Sequence, residues 1–315
     1  ITIGNPDLKW ERTLSTNIGV DFTAFRGRVD LSADYYIKNT DNLLLDITKA
    51  PSVGVITSRE NIGEVQNSGF ELRLRTFPIQ NKDWQWSLGL TYAYNKNKIK
   101  KISNSLREQN EKNKNSDGVA PLPIYEEGQS LTALKVVPSA GIDPVTGQEI
   151  FIKRDGAYTF VYDSNDKVIF GDTNPLGTGS ITSYLTYKRF ALSCSFLYSF
   201  GGSVYNETLA TKVEGANPKY NADERVLNDR WKTPGTVAKY KRIDDTTTPY
   251  QTSRFVEKNN FLRMSSLSLS YEVPTNFIQK YGLKRMFLEL LTNDLFYLST
   301  AKRERGLNYP YDRSF

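Results

Sequence analysis

Apolar and polar residues alternate along this chain with a period of two, the mark of strands whose two faces meet different surroundings. From Leu14 to Phe22, one face reads Leu14, Thr16, Ile18, Val20 and Phe22, and the other Ser15, Asn17, Gly19 and Asp21. Val29, Leu31, Ala33, Tyr35 and Ile37 repeat the pattern against Asp30, Ser32, Asp34, Tyr36 and Lys38. Phe70, Leu72 and Leu74 oppose Glu71, Arg73 and Arg75, and a run from Trp84 to Asn95 alternates in the same way. Further strands are predicted around Ser180 to Tyr187, from Phe190 to Phe200 and from Ser266 to Val273, with a less regular one from Met286 to Leu298. The total is about eight strands, and no long amphipathic helix is predicted.

Connection lengths alternate too. Strands one and two join at Arg26-Gly27, three and four across Pro78 to Asp83, five and six at Lys188-Arg189, and seven and eight across Pro274 to Gly282. Between these hairpins lie long stretches: Asn39 to Gln66, Lys96 to Gly179 and Gly201 to about Asn260. Tight turns at one end and large loops at the other describe an antiparallel up-and-down meander, and outer-membrane barrels have short periplasmic turns and long extracellular loops. Several runs approach a dozen residues, whereas globular strands cluster near roughly five or six and a tilted transmembrane strand needs roughly 9–11. The predicted fold class is therefore all-β, an antiparallel up-and-down transmembrane β-barrel, with the apolar faces toward lipid. Asp21, Asp34, Glu71, Arg73 and Arg75 are the candidate lumen-facing residues. Aromatic residues near the run ends, Phe22 and Phe25, Tyr35 and Tyr36, Trp84 and Trp86, Tyr198 and Phe200, fit interfacial girdles.

Composition narrows the chemistry. The 315 residues include 16 Phe, 19 Tyr and 4 Trp, yet mean hydropathy is −0.50. No run of about 18 apolar residues predicts a membrane helix, a test that a barrel escapes because alternate residues of each strand face lipid. There is no His and one Cys, Cys194, which excludes a Ser-His-Asp triad, a Cys-His dyad, any His-containing zinc site and an intrachain disulfide. The net charge of +6 comes from 41 Lys and Arg against 35 Asp and Glu, a mixed surface. Its densest basic cluster, Lys96 to Lys101, is read as a solvated loop base, and no nucleic-acid partner is predicted. The chain opens at Ile1 with no signal-peptide pattern, and a fragment or processed chain is expected.

Candidate sites are few. Asp143-Pro144-Val145-Thr146-Gly147 has oxygen donors suited to calcium, but lacks the alternating Asp and closing Glu of an EF-hand and is read as an Asx turn. Asp163-Ser164-Asn165-Asp166 is read as a hairpin turn joining Tyr158–Tyr162 to Lys167–Phe170. Nothing singles out a catalytic carboxylate pair, and neither an enzyme nor a cofactor is expected. In the long loops, Tyr205, Tyr220, Arg230, Trp231 and Tyr240 are the candidate ligand- or partner-facing residues, since rings beside amides and guanidinium groups suit sugars and peptides.

Local patterns occur in an order that resembles the SusC/RagA family of TonB-dependent outer-membrane transporters. They are Asn5-Pro6-Asp7-Leu8-Lys9-Trp10-Glu11, Asp34-Tyr35-Tyr36 with Asn39-Thr40 and Asn42-Leu43-Leu44-Leu45, and Asn61 to Glu71. Gly141-Ile142-Asp143-Pro144-Val145-Thr146-Gly147, Trp231-Lys232-Thr233-Pro234-Gly235, Phe261 to Tyr271, Asn293-Asp294-Leu295-Phe296 and Gly306 to Pro310 continue the series, Thr236 standing where an Asp is usual. The resemblance covers nearly the whole chain. It implies the C-terminal part of a barrel of about 22 strands spanning residues 1–315, with the plug, the TonB box, the first barrel strands and the closing strand outside this sequence. It also implies outer-membrane location, a SusD-like lipoprotein partner, energy through TonB, and import of an oligosaccharide or peptide. A secreted or surface β-rich adhesin and a passive porin are the alternatives.

Overall fold

The computed structural model describes residues 5–48, 57–116, 118–217, 219 and 223–301. Five strands and a helix open the chain: β1 (Arg12–Ala24), β2 (Val29–Thr48), β3 (Thr57–Gln80), β4 (Trp84–Ile102), α1 (Asn104–Lys114) and β5 (Ala133–Val136). Short strands β6 (Ser139–Ile142), β7 (Glu149–Ile152), β8 (Tyr158–Thr159) and β9 (Val168–Asp172) follow. Then come β10 (Gly177–Tyr187), β11 (Phe190–Tyr205), β12 (Val256–Glu272), β13 (Phe287–Asn293) and β14 (Tyr297–Ser299). The long strands form one antiparallel sheet in the order β1-β2-β3-β4-β10-β11-β12-β13, with β14 also on β12. Each neighbour in the meander is the next long strand in sequence, and among the described residues β1 and β13 are its open edges.

Turn chemistry accounts for the short end. Phe25, Arg26 and Gly27 all have positive φ between β1 and β2, and Lys188 alone (φ +53°) reverses the chain between β10 and β11, where Tyr187 pairs with Phe190. The strands extend beyond the alternating runs. The expected loop Asn39 to Gln66 is largely strand: β2 runs to Thr48 and β3 begins at Thr57. An extra residue near Asn42 (φ +55°) breaks the register between the Thr40–Val65 and Leu43–Gly63 pairs. Such a bulge exchanges faces, so Leu43, Leu45 and Ile47 come onto the polar face, where Leu106 of α1 covers them. The expected last strand is two pieces, because Asp294 (φ +54°) bends away and its amide bonds to the Ser265 carbonyl at 3.4 Å, opposite a bulge in β12.

Burial follows an order foreign to a soluble sandwich. Apart from Ile278 and Ala301, the buried apolar side chains among the described residues lie in the long connections and the strand ends beside them: Ile47, Ile62, Val65, Ile99, Leu106, Val136, Tyr205, Phe255 and their neighbours. Among the described residues nothing covers the apolar face of the sheet; Ile18 is 68% exposed, Leu269 46% and Leu290 71%. A second sheet would have covered these residues, whereas lipid would cover them without leaving a trace in the chain. Aromatic rows bound this face. Trp84, Tyr187, Phe190 and Tyr271 pair in register near the short turns, with ring centroids 4.1 Å apart for Trp84–Tyr187 and 4.6 Å for Phe190–Tyr271. Toward the loops, Tyr35, Phe70 and Tyr94 share another row. On β4 the two rows are Trp84 and Tyr94, roughly 33 Å apart along the strand, or about 25 Å of height at a tilt near 40°, the height of the apolar band of outer-membrane barrels. No helix among the described residues is long and apolar enough to cross a membrane.

Candidate functional site

The opposite, polar face carries charge in register. Asp21 pairs with Ser32, Ser32 with Arg73 and Arg73 with Thr91; one row on, Gly19, Asp34, Glu71, Ala93 and Thr178 line up. Asp30 stands beside Arg75. All five charged residues expected on one face, Asp21, Asp34, Glu71, Arg73 and Arg75, therefore share it. A shallow cavity of about 230 Å³ is lined there by Ser32, Asp34, Glu71, Arg73, Thr91 and Thr178.

The long connections fold over this same face. On β4 it carries Asn95, Asn97 and Ile99, paired with Gly69, Asn67 and Val65. The Asn97 carboxamide oxygen accepts from the Leu131 amide at 2.6 Å and the Ser130 hydroxyl at 2.9 Å, and the Asn174 carboxamide donates to the Asn95 carbonyl at 2.5 Å. Ser103 caps α1 by accepting from the Leu106 amide at 3.2 Å, and Asn110 and Asn113 bind the backbone of Tyr125 and Pro123. The result is an ordered layer over one end of the polar face.

Two sequence motifs interlock in this layer. The Asp143 carboxylate accepts from the amides of Val145 (3.3 Å) and Thr146 (3.0 Å) and from the Thr146 hydroxyl (2.6 Å), the expected Asx turn. The Thr146 hydroxyl is the first cause holding Asp143 below the usual carboxylate range, and the two amides add to it. Gly147, at φ +72°, lies under the Trp231 indole, whose Nε1 donates to the Pro144 carbonyl at 2.9 Å. Gly235 of the second motif donates to the same carbonyl at 2.8 Å, and the Arg242 amide to the Gly147 carbonyl at 3.2 Å. Pro144 and Gly147 thus receive the Trp-Lys-Thr-Pro-Gly loop. The Asp163 turn forms as well, its carboxylate accepting from the Asn165 amide at 2.8 Å, but it does not close a hairpin. Its flanking strands pair elsewhere, β8 with β7 and β9 with β5.

Three loop candidates are interior. Tyr205 is 7% exposed, its hydroxyl donating to the Val119 carbonyl at 2.9 Å and its ring edge-on to Phe255. Tyr240 is 6% exposed in the same cluster. Arg230 is 4% exposed and donates to the carbonyls of Val213, Glu214, Lys241 and Arg242, tying two loop segments together. These side chains hold the layer and do not face open solvent. Trp231 is half-buried on a cavity of about 490 Å³ with Arg230, Lys232, Arg242 and the exposed Leu227 and Ile243. Tyr220, with Gly306 to Pro310, lies outside the described residues.

No sequence motif points to the ionic centre of the layer. Arg254, just before β12, makes paired bonds of 2.7 Å to both oxygens of Glu149 and of Glu214, and a fifth to the Lys239 carbonyl at 2.9 Å. Burial opposes its charge, but the carboxylates, Glu149 first, outweigh burial and raise its pKa above the ordinary guanidinium value. The partners stand 105 and 40 positions away in sequence, beyond any local pattern.

A family model described as TonB dependent receptor-like, beta-barrel matches residues 1–277. The chain belongs to that family. TonB-dependent receptor P39 of Formosa agariphila is 24% identical over 94% of this chain and 32% of its own length. TonB-dependent receptor P3 of the same organism is 29% identical over 90% and 29%, and TonB-dependent receptor SusC of Bacteroides thetaiotaomicron 28% identical over 85% and 26%. The solved structure of the RagAB peptide transporter matches the fold with a TM-score of 0.81 at 24% identity, over 96% of this chain and 33% of that one. The chain spans about a third or less of the length of these relatives. As a TonB-dependent receptor barrel it is an outer-membrane wall, and the eight-strand meander is part of a cylinder, its open edges being places for further strands.

Proposed function

We propose that this chain is the C-terminal part of the barrel of an importer, driven through TonB and carrying an oligosaccharide or peptide across the outer membrane, with the plug supplied by sequence preceding it. The observation that carries this reading is the layer of ordered loops folded over one end of the polar face. Ordered loops over the lumen restrict free passage and present a built surface to a ligand, as a selective importer requires. Asp21, Asp34, Glu71, Arg73 and Arg75 then line the lumen, and the Trp231–Arg242 cavity offers an aromatic ring beside the Arg242–Asp244 ion pair to a nutrient at the mouth, with Tyr205, Arg230 and Tyr240 supporting it from below. Relatives named SusC and RagAB support the assignment, as do the exposed Tyr158, Phe160 and Val161 on the layer, a surface suited to a SusD-like lipoprotein. The test compares uptake of labelled oligosaccharides and peptides by cells with and without the full-length gene, each with and without an ionophore. Uptake that needs both the gene and the proton-motive force is expected. Gene-dependent uptake indifferent to the ionophore would make the protein a porin, and uptake of no nutrient under any condition would favour an adhesin.

A further inference from the structure

A cavity of about 440 Å³ opens between α1, the segment Ile124–Glu126, β5 and the turn ahead of β9. Five cationic residues line it, Arg107, Lys114, Lys135, Arg154 and Lys167, against three carboxylates. Lys135 is taken by Glu126 at 2.5 Å and Arg107 by Glu127 at 3.4 Å, which leaves Lys114, Arg154 and Lys167, while Glu108 and Glu111 lie on exposed positions of α1. Lys167 is the anomaly. It is 3% exposed, yet its ammonium donates to two uncharged acceptors, the Lys114 carbonyl at 2.8 Å and the Gln251 carboxamide at 2.7 Å. Buried charges ordinarily meet a counter-charge. Gln251 is itself held by donating to the Gly118 carbonyl at 2.5 Å and the Ala120 carbonyl at 3.2 Å, so the arrangement is built around the ammonium. Arg154 is locked alongside, its guanidinium donating to the Lys167 carbonyl at 3.1 Å.

We propose that this cavity binds a carboxylate carried by the imported nutrient, with Lys167, Arg154 and Lys114 as its cationic partners. Burial, with the nearby Lys114 charge adding to it, pushes the Lys167 ammonium down to about 8, and an anion in the cavity supplies the missing counter-charge. Neutral cargo would leave that charge uncompensated, so the site discriminates for acidic cargo. The inference rests on the transport reading for the identity of the ligand as cargo.

The experiment uses full-length protein purified in detergent and titrated by calorimetry with two matched pairs of probes: glucuronate against glucose, and acetyl-dialanine as free acid against its amide. The acid member of at least one pair is expected to bind about tenfold or more tightly than its neutral counterpart, and which pair responds separates a sugar acid from a peptide carboxylate. Arg154→Gln, at an exposed position, and Lys114→Gln, at a half-buried one, are expected to reduce that preference without shifting the melting temperature; Lys167→Met should abolish it. Equal binding of charged and neutral probes by the unaltered protein overturns the proposal, as does a preference that survives both Arg154→Gln and Lys114→Gln. If the preference is present but cells show no gene-dependent uptake, the transport reading fails while the anion site stands.

Discussion

Gly147 shows how much of the loop layer hangs on single positions. Its φ of +72° is unfavourable for any side chain, and a Cβ there would meet the Trp231 ring at 2.5 Å. Gly156 has a similar φ of +86°, but a Cβ there meets nothing within 4 Å. The difference between the two alanine variants isolates the Trp231 contact from backbone strain. Gly147→Ala is expected to destabilise the loop layer by about 1–3 kcal/mol more than Gly156→Ala, measured as faster cleavage of the loops by a protease in full-length protein. Equal effects would mean that Trp231 moves aside freely and that the two motifs are not locked. Arg254 is the stronger constraint. Truncating it to Met leaves Glu149 and Glu214 buried with their partner gone, a change that costs about 3–5 kcal/mol. Replacing both carboxylates by Gln along with Arg254→Met should recover much of the loss. Hydrogen exchange of the Glu149 and Glu214 backbone amides reads both outcomes, and no recovery in the triple variant would show that the arginine acts through its Lys239 contact.

At the scale of strands, alternation was readable because one face meets a uniformly apolar medium, so each of Val29, Leu31, Ala33, Tyr35 and Ile37 reports the same side. The signal ended where the surroundings ended. Past Thr40, the polar face of the β2–β3 hairpin becomes apolar to receive α1, and the bulge at Asn42 shifts the phase there, so Leu43, Leu45 and Ile47 keep odd numbers while changing faces. A periodicity reading sees a loop in that region where the chain is still extended. Trp231 and Asp143 stood out through local motifs, whereas Arg254, Glu149, Glu214 and Lys167 did not, because a buried ion pair or an uncompensated ammonium is a property of the assembled layer. Two substitutions test the face assignment directly. Leu90, between the Trp84 and Tyr94 rows on β4, pairs with Leu74 and Ile181 on the apolar face, and Ser193 pairs with Tyr184 and Ser268 on the polar one. In lipid, Leu90→Arg should cost roughly 2–4 kcal/mol near the midplane, while Ser193→Asn should change little. Urea midpoints of the full-length protein in bilayers measure both, and a larger loss for Ser193→Asn would reverse the faces.

For the whole molecule, the decisive feature is that the sheet, among the described residues, has two unfinished edges and an uncovered apolar face. Every position of β1 from Arg12 to Thr23 is exposed, and Phe287 to Leu291 of β13 are exposed as well, with Phe287 at 61%, Leu288 at 57% and Leu290 at 71%. Unpaired strand edges recruit other strands, and an apolar band of this extent is stable only against lipid or a partner surface. The buried clusters of the loop layer are small by comparison: seven buried residues around Tyr205 and Phe255, and three around Leu106. They can order the loops but cannot shield a face carried by eight long strands. The 315-residue chain expressed by itself is therefore expected to associate or aggregate in water, and to be held in solution only by detergent. Light scattering behind a sizing column checks this directly. A monodisperse species of 35.8 kDa without detergent, unfolding cooperatively, would mean that the edges and the apolar face find cover within the chain, and the barrel-wall architecture would then be wrong for this chain in isolation. Association that detergent reverses, with strand content retained, is the outcome that an open section of barrel wall requires, because detergent covers the apolar face while leaving the backbone pairing intact.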